Sequence, residues 1–165
     1  PEQIFQLFIG FFDLILVISW AYWVYLVLAL WKYGVSSLEF HQFPFFLGGQ
    51  AGMTLRMNRP APGLKEMKAT LRHIEERYET RGSGKNKSSV IVSYELYADT
   101  LTMNNLTPFQ QQAVQWPLNF SLPQGSQYNT CLSCRPAKYW ELEVNAQTPG
   151  IDYCPSFLLP VYAKP

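Results

Sequence analysis

Between Leu14 and Trp31 the chain runs for 18 residues without a charge, and from Ile4 to Trp31 only Gly10 and the polar Gln6, Asp13 and Ser19 interrupt an apolar sequence. Such a run reads as a membrane span. At a helical rise of about 1.5 Å per residue the uncharged part covers roughly 27 Å and the whole run roughly 42 Å, against a hydrocarbon core of about 30 Å. Trp20, Tyr22, Trp23, Tyr25, Trp31 and Tyr33 are too many and too spread for one interfacial belt, so some are expected to face another helix. A cleaved signal peptide is not expected, because a basic leader is missing, the run is too long and no small-x-small site precedes Lys32 and Tyr33. The chain begins at Pro1, so upstream sequence that includes an earlier helix is expected. Asp13 has two readings, a carboxylate that snorkels or pairs near one interface and a buried functional group facing a partner helix. With no second ionisable residue inside the span, the interfacial reading is preferred.

Composition then separates two parts. The 165 residues are 48% apolar, 16% aromatic and 15% charged, enough for one folded core and far from a disordered composition. Only Glu2, Asp13 and Lys32 carry charge within the first 35 positions, so the mean hydropathy of -0.07 describes neither part. Lys+Arg 13 against Asp+Glu 12 leaves no basic excess to displace counterions, and no nucleic-acid partner is expected on that ground.

After Gly34 continuous apolarity gives way to alternation, the pattern of strands with one buried face. The expected organisation is a transmembrane helix over 1–34 and a β domain over 35–165. Met53, Leu55 and Met57 alternate with polar residues up to a turn at Arg59–Gly63. Val114, Trp116, Leu118, Phe120 and Leu122 form a second series, which Pro117 confines to an edge or a bulge. Trp140, Leu142, Val144 and Ala146 form a third, ending at Pro149 and Gly150, and Phe157–Tyr162 closes the chain. Glu66–Thr80 is ambiguous: Met67, Leu71, Ile74 and Tyr78 fit a helical face and the composition favours helix. The glycine-serine tract Arg81–Ser89 and the alternation of Val90, Val92, Tyr94 and Leu96 beyond it make a long hairpin the reading that agrees with its neighbours.

Trp140, Leu142, Val144, Ala146, Pro149, Gly150, Asp152, Tyr153, Phe157, Pro160 and Val161 spell W-x-L-x-V-x-A-x-x-P-G-x-D-Y-x-x-x-F-x-x-P-V. This ending resembles that of a group of uncharacterised bacterial inner-membrane proteins. Phe120 with Leu122 and Pro123, the Leu71–Lys87 segment with its basic loop, and Pro44 followed by Gly48 and Gly49 agree with it, so the likeness covers roughly residues 34 to 163. The resemblance implies an arrestin-like or immunoglobulin-like antiparallel β-sandwich behind two membrane spans, with Glu66–Thr80 as strand. It implies no activity. Cys131, Cys134, Cys154 and His73 depart from the group's pattern.

Those cysteines carry the chemistry to be weighed. Cys131 and Cys134 have the C-x-x-C spacing of a zinc knuckle or a redox pair, and Cys154 with His41 or His73 would complete a ligand set. No second paired motif accompanies them, and Arg135, Pro136 and a strand follow rather than a helix. Ordinary free thiols are expected ahead of a disulfide, a metal site or redox catalysis. Gly48–Gly52 lacks the lysine and hydroxyl of a phosphate loop and is expected to be a structural turn. His41 and His73 have no nucleophile arranged with them and are expected to be surface or strand residues. From Arg56 to Lys87 nine Lys/Arg face four Glu, a local surplus of +5. A solvated strand face explains most of it, but the tip residues Arg81, Lys85 and Lys87 are candidate contacts for anionic headgroups or an acidic protein.

The reading is a membrane-anchored, non-catalytic binding or accessory protein of a bacterial membrane complex, needing no cofactor, metal or small-molecule substrate. Its expected partners are the bilayer and other membrane subunits. An obligate structural subunit, and a thiol-redox or zinc protein using the C-x-x-C pair, are the alternatives. Lys32 after the span, Glu2 before it and an odd cysteine count put the β domain on the cytoplasmic side of the inner membrane.

Overall fold

The computed structural model spans the whole chain and describes all of it except residues 1, 62, 83–86, 105, 108–109, 111–112 and 165, with backbone alone for residues 2–5 and 7–9. Among the described residues a long helix, α1 (Glu2–Tyr33), is followed by nine strands, β1 (Ser37–Phe40), β2 (Phe45–Phe46), β3 (Gln50–Arg56), β4 (Glu66–Arg81), β5 (Ser88–Asn104), β6 (Gln115–Ser121), β7 (Lys138–Gln147), β8 (Ser156–Leu159) and β9 (Val161–Tyr162), with a short 3-10 turn at Ser126–Tyr128 between β6 and β7.

Within α1 the 24 residues Gly10–Tyr33 are long and apolar enough to cross a membrane, and none of the apolar window is covered by the rest of the chain. Lys32 stands in the last turn, where a cation meets the negative end of the helix. The helix then stops at Gly34, whose φ of 71° is left-handed and whose N–H bonds back to Leu30 O at 2.8 Å. A Cβ at Gly34 would lie 2.7 Å from the Asn58 Cβ, so only glycine fits this stop.

Alternation decides the rest. β1, β3 and β6 form one antiparallel sheet in the order β1-β3-β6, and β5, β4, β7 and β8 form the other in the order β5-β4-β7-β8. β2 and β9 add a short parallel pair. The inward residues are Ala51, Met53 and Leu55 of β3, Trp116, Leu118 and Phe120 of β6, Met67, Ala69, Leu71 and His73 of β4, and Trp140, Leu142, Val144 and Ala146 of β7. They interleave into one core between the sheets. Each large side chain withdrawn from water contributes about 1.5–3 kcal/mol, enough to fix a register in which a one-residue slip would expose the whole set. Pro117, opposite Thr54, sits on β6, an edge strand of its sheet, as its missing N–H requires.

Glu66–Arg81 is strand throughout. Its helix-favouring composition is overridden because β4 is paired on both sides, with Leu71 opposite Asp99 of β5 and Leu142 of β7, so the period of two buries more than one helical stripe would. The Gly48–Gly49 turn, with Gly48 at φ 76° and Gly49 N bonded to Phe46 O at 3.1 Å, leads into β3 as a structural loop. The mainly β, mostly antiparallel sandwich behind an apolar helix is the architecture expected from the sequence.

Candidate functional site

The end of α1 is held by the turn that joins β7 to β8. Lys32 Nζ donates to Thr148 Oγ1 at 2.9 Å, to Pro149 O at 2.8 Å and to Ile151 O at 2.9 Å. The Tyr33 hydroxyl donates to Ile151 O and shares a 2.5 Å hydrogen bond with Thr148 Oγ1. Its ring packs on Tyr153 at 5.1 Å between centroids, and the Tyr153 hydroxyl donates to Ser36 Oγ at 2.6 Å. Asp152 Oδ1 accepts the Thr148 N–H at 3.1 Å and so shapes the turn. On the other side Arg59 donates to the Trp31 carbonyl, one of the open acceptors of the last helical turn. The P-G-x-D-Y part of the terminal motif is therefore a clamp for the helix end.

The opposite end of the same sheet extends past β7. β7 pairs with β4 from Glu66, opposite Gln147, to Glu75, opposite Lys138, and Glu76 N–H still reaches Ala137 O at 2.9 Å, so Arg77–Arg81 and the facing part of β5 project beyond it as a two-stranded hairpin. Gln147 adjoins the clamp. At about 3.3 Å per residue, the 16-residue β4 carries its far end roughly 50 Å along the strand from the clamped helix end. The root of the projection is an ion ladder: Glu75 takes Lys138 at 2.7 Å and Arg77 at 2.6 Å, Arg77 lies over the Tyr94 ring at 5.0 Å, and the Tyr94 hydroxyl donates to Glu79. The bonds from Lys138 and then Arg77 hold the Glu75 carboxyl below its ordinary range, and the bond to Glu79 raises the Tyr94 hydroxyl.

Of the tip residues, Arg81 is exposed and only loosely paired with Glu79 at 3.9 Å, and Lys87 is exposed with no ion pair among the described residues. Lys85 lies outside the described residues. Much of the basic surplus seen along the sequence is neutralised in space, since Arg56 meets Glu39 at 2.8 Å and Arg72 meets Glu141 at 3.2 Å and Glu143 at 2.6 Å. Those carboxylates belong to β1 and β7 and do not show in a count from Arg56 to Lys87.

The expectation of ordinary free thiols is corrected for one pair. Cys131 and Cys134 form a disulfide with a Cα–Cα distance of 5.3 Å, because Cys131 is fixed by a two-hydrogen-bond bridge to Lys138 and the chain turns back within a few residues. Cys154 is a free, exposed cysteine near the clamp, its thiol pushed up by burial and then by Asp152 and Glu143, which suppresses the thiolate. His41 bonds Thr54 Oγ1 at 2.9 Å on the exposed side of the other sheet. Among the described residues no group of three or more His, Cys, Asp and Glu is placed to hold a metal ion.

His73 is the residue that sequence reasoning undervalued. It is fully buried among Trp140, Tyr128 and, through Trp140, Tyr97, with ring centroids 5.1 Å from Trp140 and 5.6 Å from Tyr128. Neither ring nitrogen completes a hydrogen bond, although the Asn129 carbonyl is close enough to favour the proton. Burial, and then Lys138, hold its pKa below the ordinary value. Its odd position in the series Met67, Ala69, Leu71 was the available signal.

No protein-family model matches the chain, and no curated protein matches it. Among solved structures it is similar to the sporulation control protein Spo0M from Bacillus subtilis, with a TM-score of 0.48 and 12% sequence identity over 78% of this chain. The chain spans about half of that protein's length, 49%.

Proposed function

We propose that the chain is a membrane-anchored, non-catalytic binding or accessory module of a bacterial inner-membrane complex, with α1 in the bilayer and the projecting hairpin as its contact with another protein. The observation that carries this reading is the clamp. Hydrogen bonds and ring packing tie the end of an uncovered apolar helix to the β domain, so that the domain is presented in one pose rather than trailing on a flexible linker. The length of β4 separates the tip from that anchor, which favours an acidic protein surface over the headgroups of the same bilayer as the counterpart of Arg81 and Lys87.

The β domain is placed in the cytoplasm, on the ground that Lys32 follows the span and Glu2 precedes it. In that compartment the Cys131–Cys134 bond, with Cys131 half-buried and Cys134 exposed, is open to the cellular thiol pool, which gives thiol exchange at this pair as a second reading. Thiol trapping in intact cells reads both: an impermeant maleimide that reaches Cys154 contradicts the placement.

Purification of the intact chain in a mild detergent tests the main reading. A partner that co-purifies, dissociates on dilution or in salt, and is lost from the R81E/K87E variant is the expected result. A stoichiometric partner that resists dilution makes the chain an obligate subunit. Retention of the same partner by R81E/K87E, at low and physiological salt alike, overturns the role of the tip.

A further inference from the structure

We infer that the distal edge of β5, Ser88–Tyr94, is a strand-addition site for an extended segment of another protein that carries carboxylates opposite Lys87. This rests on the binding reading above and names its surface and the chemistry of its partner.

Sheets guard their free edges with short strands, prolines, bulges and inward charges. Three of the four outer strands of this sandwich are guarded: β1 and β8 have four residues each, and β6 contains Pro117. The fourth, β5, has 17 residues and pairs only with β4 among the described strands. Its clamp-proximal half is guarded too. Leu96 is a bulge, left without a partner where Tyr97 pairs with His73 and Glu95 with Ile74. Asp99 shares the inward face with Leu71, and Tyr97 ties the strand to β6 through Ser121 O at 3.0 Å.

None of these devices extends to Ser88–Tyr94. That stretch reads Ser-Ser-Val-Ile-Val-Ser-Tyr, with no charge and no proline, and β-branched residues at its centre. Val90 and Ile91 are exposed, and Ile91 pairs with the exposed Tyr78 of β4. An edge left open over its first seven residues, before a bulge that closes the rest, fits main-chain pairing with an extended segment, and alternate side chains of that segment would meet Val90 and Val92 on one face and Tyr78 and Ile91 on the other.

Charge selects the occupant. The open edge begins beside Lys87, exposed and without an ion pair among the described residues, and opposite Arg81 through the Arg81–Ser88 pair. A segment running antiparallel to β5 would bring its C-terminal end there, so carboxylates at that end are matched. A second copy of the chain fits less well. Antiparallel pairing of two β5 strands about Ile91 sends the clamp-proximal ends in opposite directions, about 85 Å apart at 3.3 Å per residue, and two helices in one bilayer reach that only with both hairpins flat on the surface.

The full chain in detergent, titrated with a synthetic peptide that alternates threonine and valine and ends in two glutamates, tests the inference. Hydrogen exchange is expected to slow by tenfold or more at the outward amides of Ser88–Tyr94, and not in β1, β6 or β8. The same peptide ending in two lysines should bind at least tenfold more weakly, with that preference reversed in R81E/K87E. V90K/I91K changes two exposed positions and should abolish the protection without lowering the melting temperature; should it fail to fold, the exchange map of the unmodified chain decides alone. Absence of protection, equal protection at another edge, or self-association of the chain through β5 overturns the inference. Absence of protection together with partner loss in R81E/K87E overturns the edge site and leaves the binding reading standing. Retention of the partner by that variant overturns the role of the basic tip, and the charge rule for the occupant with it.

Discussion

His73 occupies a core position where neither ring nitrogen completes a hydrogen bond, and burial, outweighing the nearby Asn129 carbonyl, holds the folded state's ring neutral. The unfolded chain binds a proton there below the ordinary value of 6.5, whereas the native site, depressed by burial and by Lys138, takes it only at lower pH. The contribution is therefore fully present above pH 6.5 and is lost as the pH falls from there through the native value. Glu75, also depressed, loses its contribution in a lower window, below its ordinary 4.5. Urea midpoints at pH 7.5 and 5.5 should fall for the unmodified chain and stay nearly level for H73L, which should be no less stable at pH 7.5 because it removes two unpartnered polar atoms. An equal fall in both proteins would assign the acid sensitivity elsewhere. At the clamp, T148V takes one acceptor from Lys32 and one hydrogen-bond partner from the Tyr33 hydroxyl, and should cost about 1–3 kcal/mol in urea unfolding. A double-mutant cycle with K32M should show coupling of at least about 0.5 kcal/mol; additivity would mean that the Lys32–Thr148 bond does not hold the helix end.

Elements were legible wherever a period of two ran uninterrupted: the series from Met53, from Val114 and from Trp140 fall on strands β3, β6 and β7, with Val114 just before β6 and exposed. Glu66–Thr80 needed its neighbours, because local composition favours helix and only pairing with both β5 and β7 decides for strand. What the sequence could not show are contacts between distant residues: Arg72 with Glu141, or Lys32 with Thr148 across a separation of 116 residues. Spacing alone likewise left the fate of Cys131 and Cys134 open, because their bond depends on the bridge to Lys138. That disulfide closes a loop of sequence separation 3, for which chain entropy gives about 2 kcal/mol, less than two or three buried core side chains. C131S/C134S/C154S should keep the fold, with a melting transition lowered by a few degrees; a molten or aggregated product would make the loop a structural requirement. R81E/K87E alters exposed tip residues and should leave thermal stability within about 0.5 kcal/mol of the parent while weakening partner association.

At the scale of the whole molecule, one long sheet separates the clamped helix end from the proposed contact at the tip. The clamp on Thr148–Tyr153 sets the β domain on the end of α1, and β4 and β5 carry the guarded edge, then the open edge, then the basic tip away from it. The clamp at one end and the continuous pairing of β4 with β5 give such an arrangement its use, since a partner at the proposed tip contact would be met at a set distance from the proposed bilayer. Site-specific photo-crosslinking in native membranes tests this most directly, with benzophenone-alanine placed at Trp31, 72% exposed in the last turns of α1, and in a separate protein at Ile91, 53% exposed on β5. Lipid adducts are expected from position 31, and from position 91 a discrete protein adduct that disappears in R81E/K87E. Lipid adducts from position 91, or the lack of lipid adducts from position 31, would contradict this arrangement.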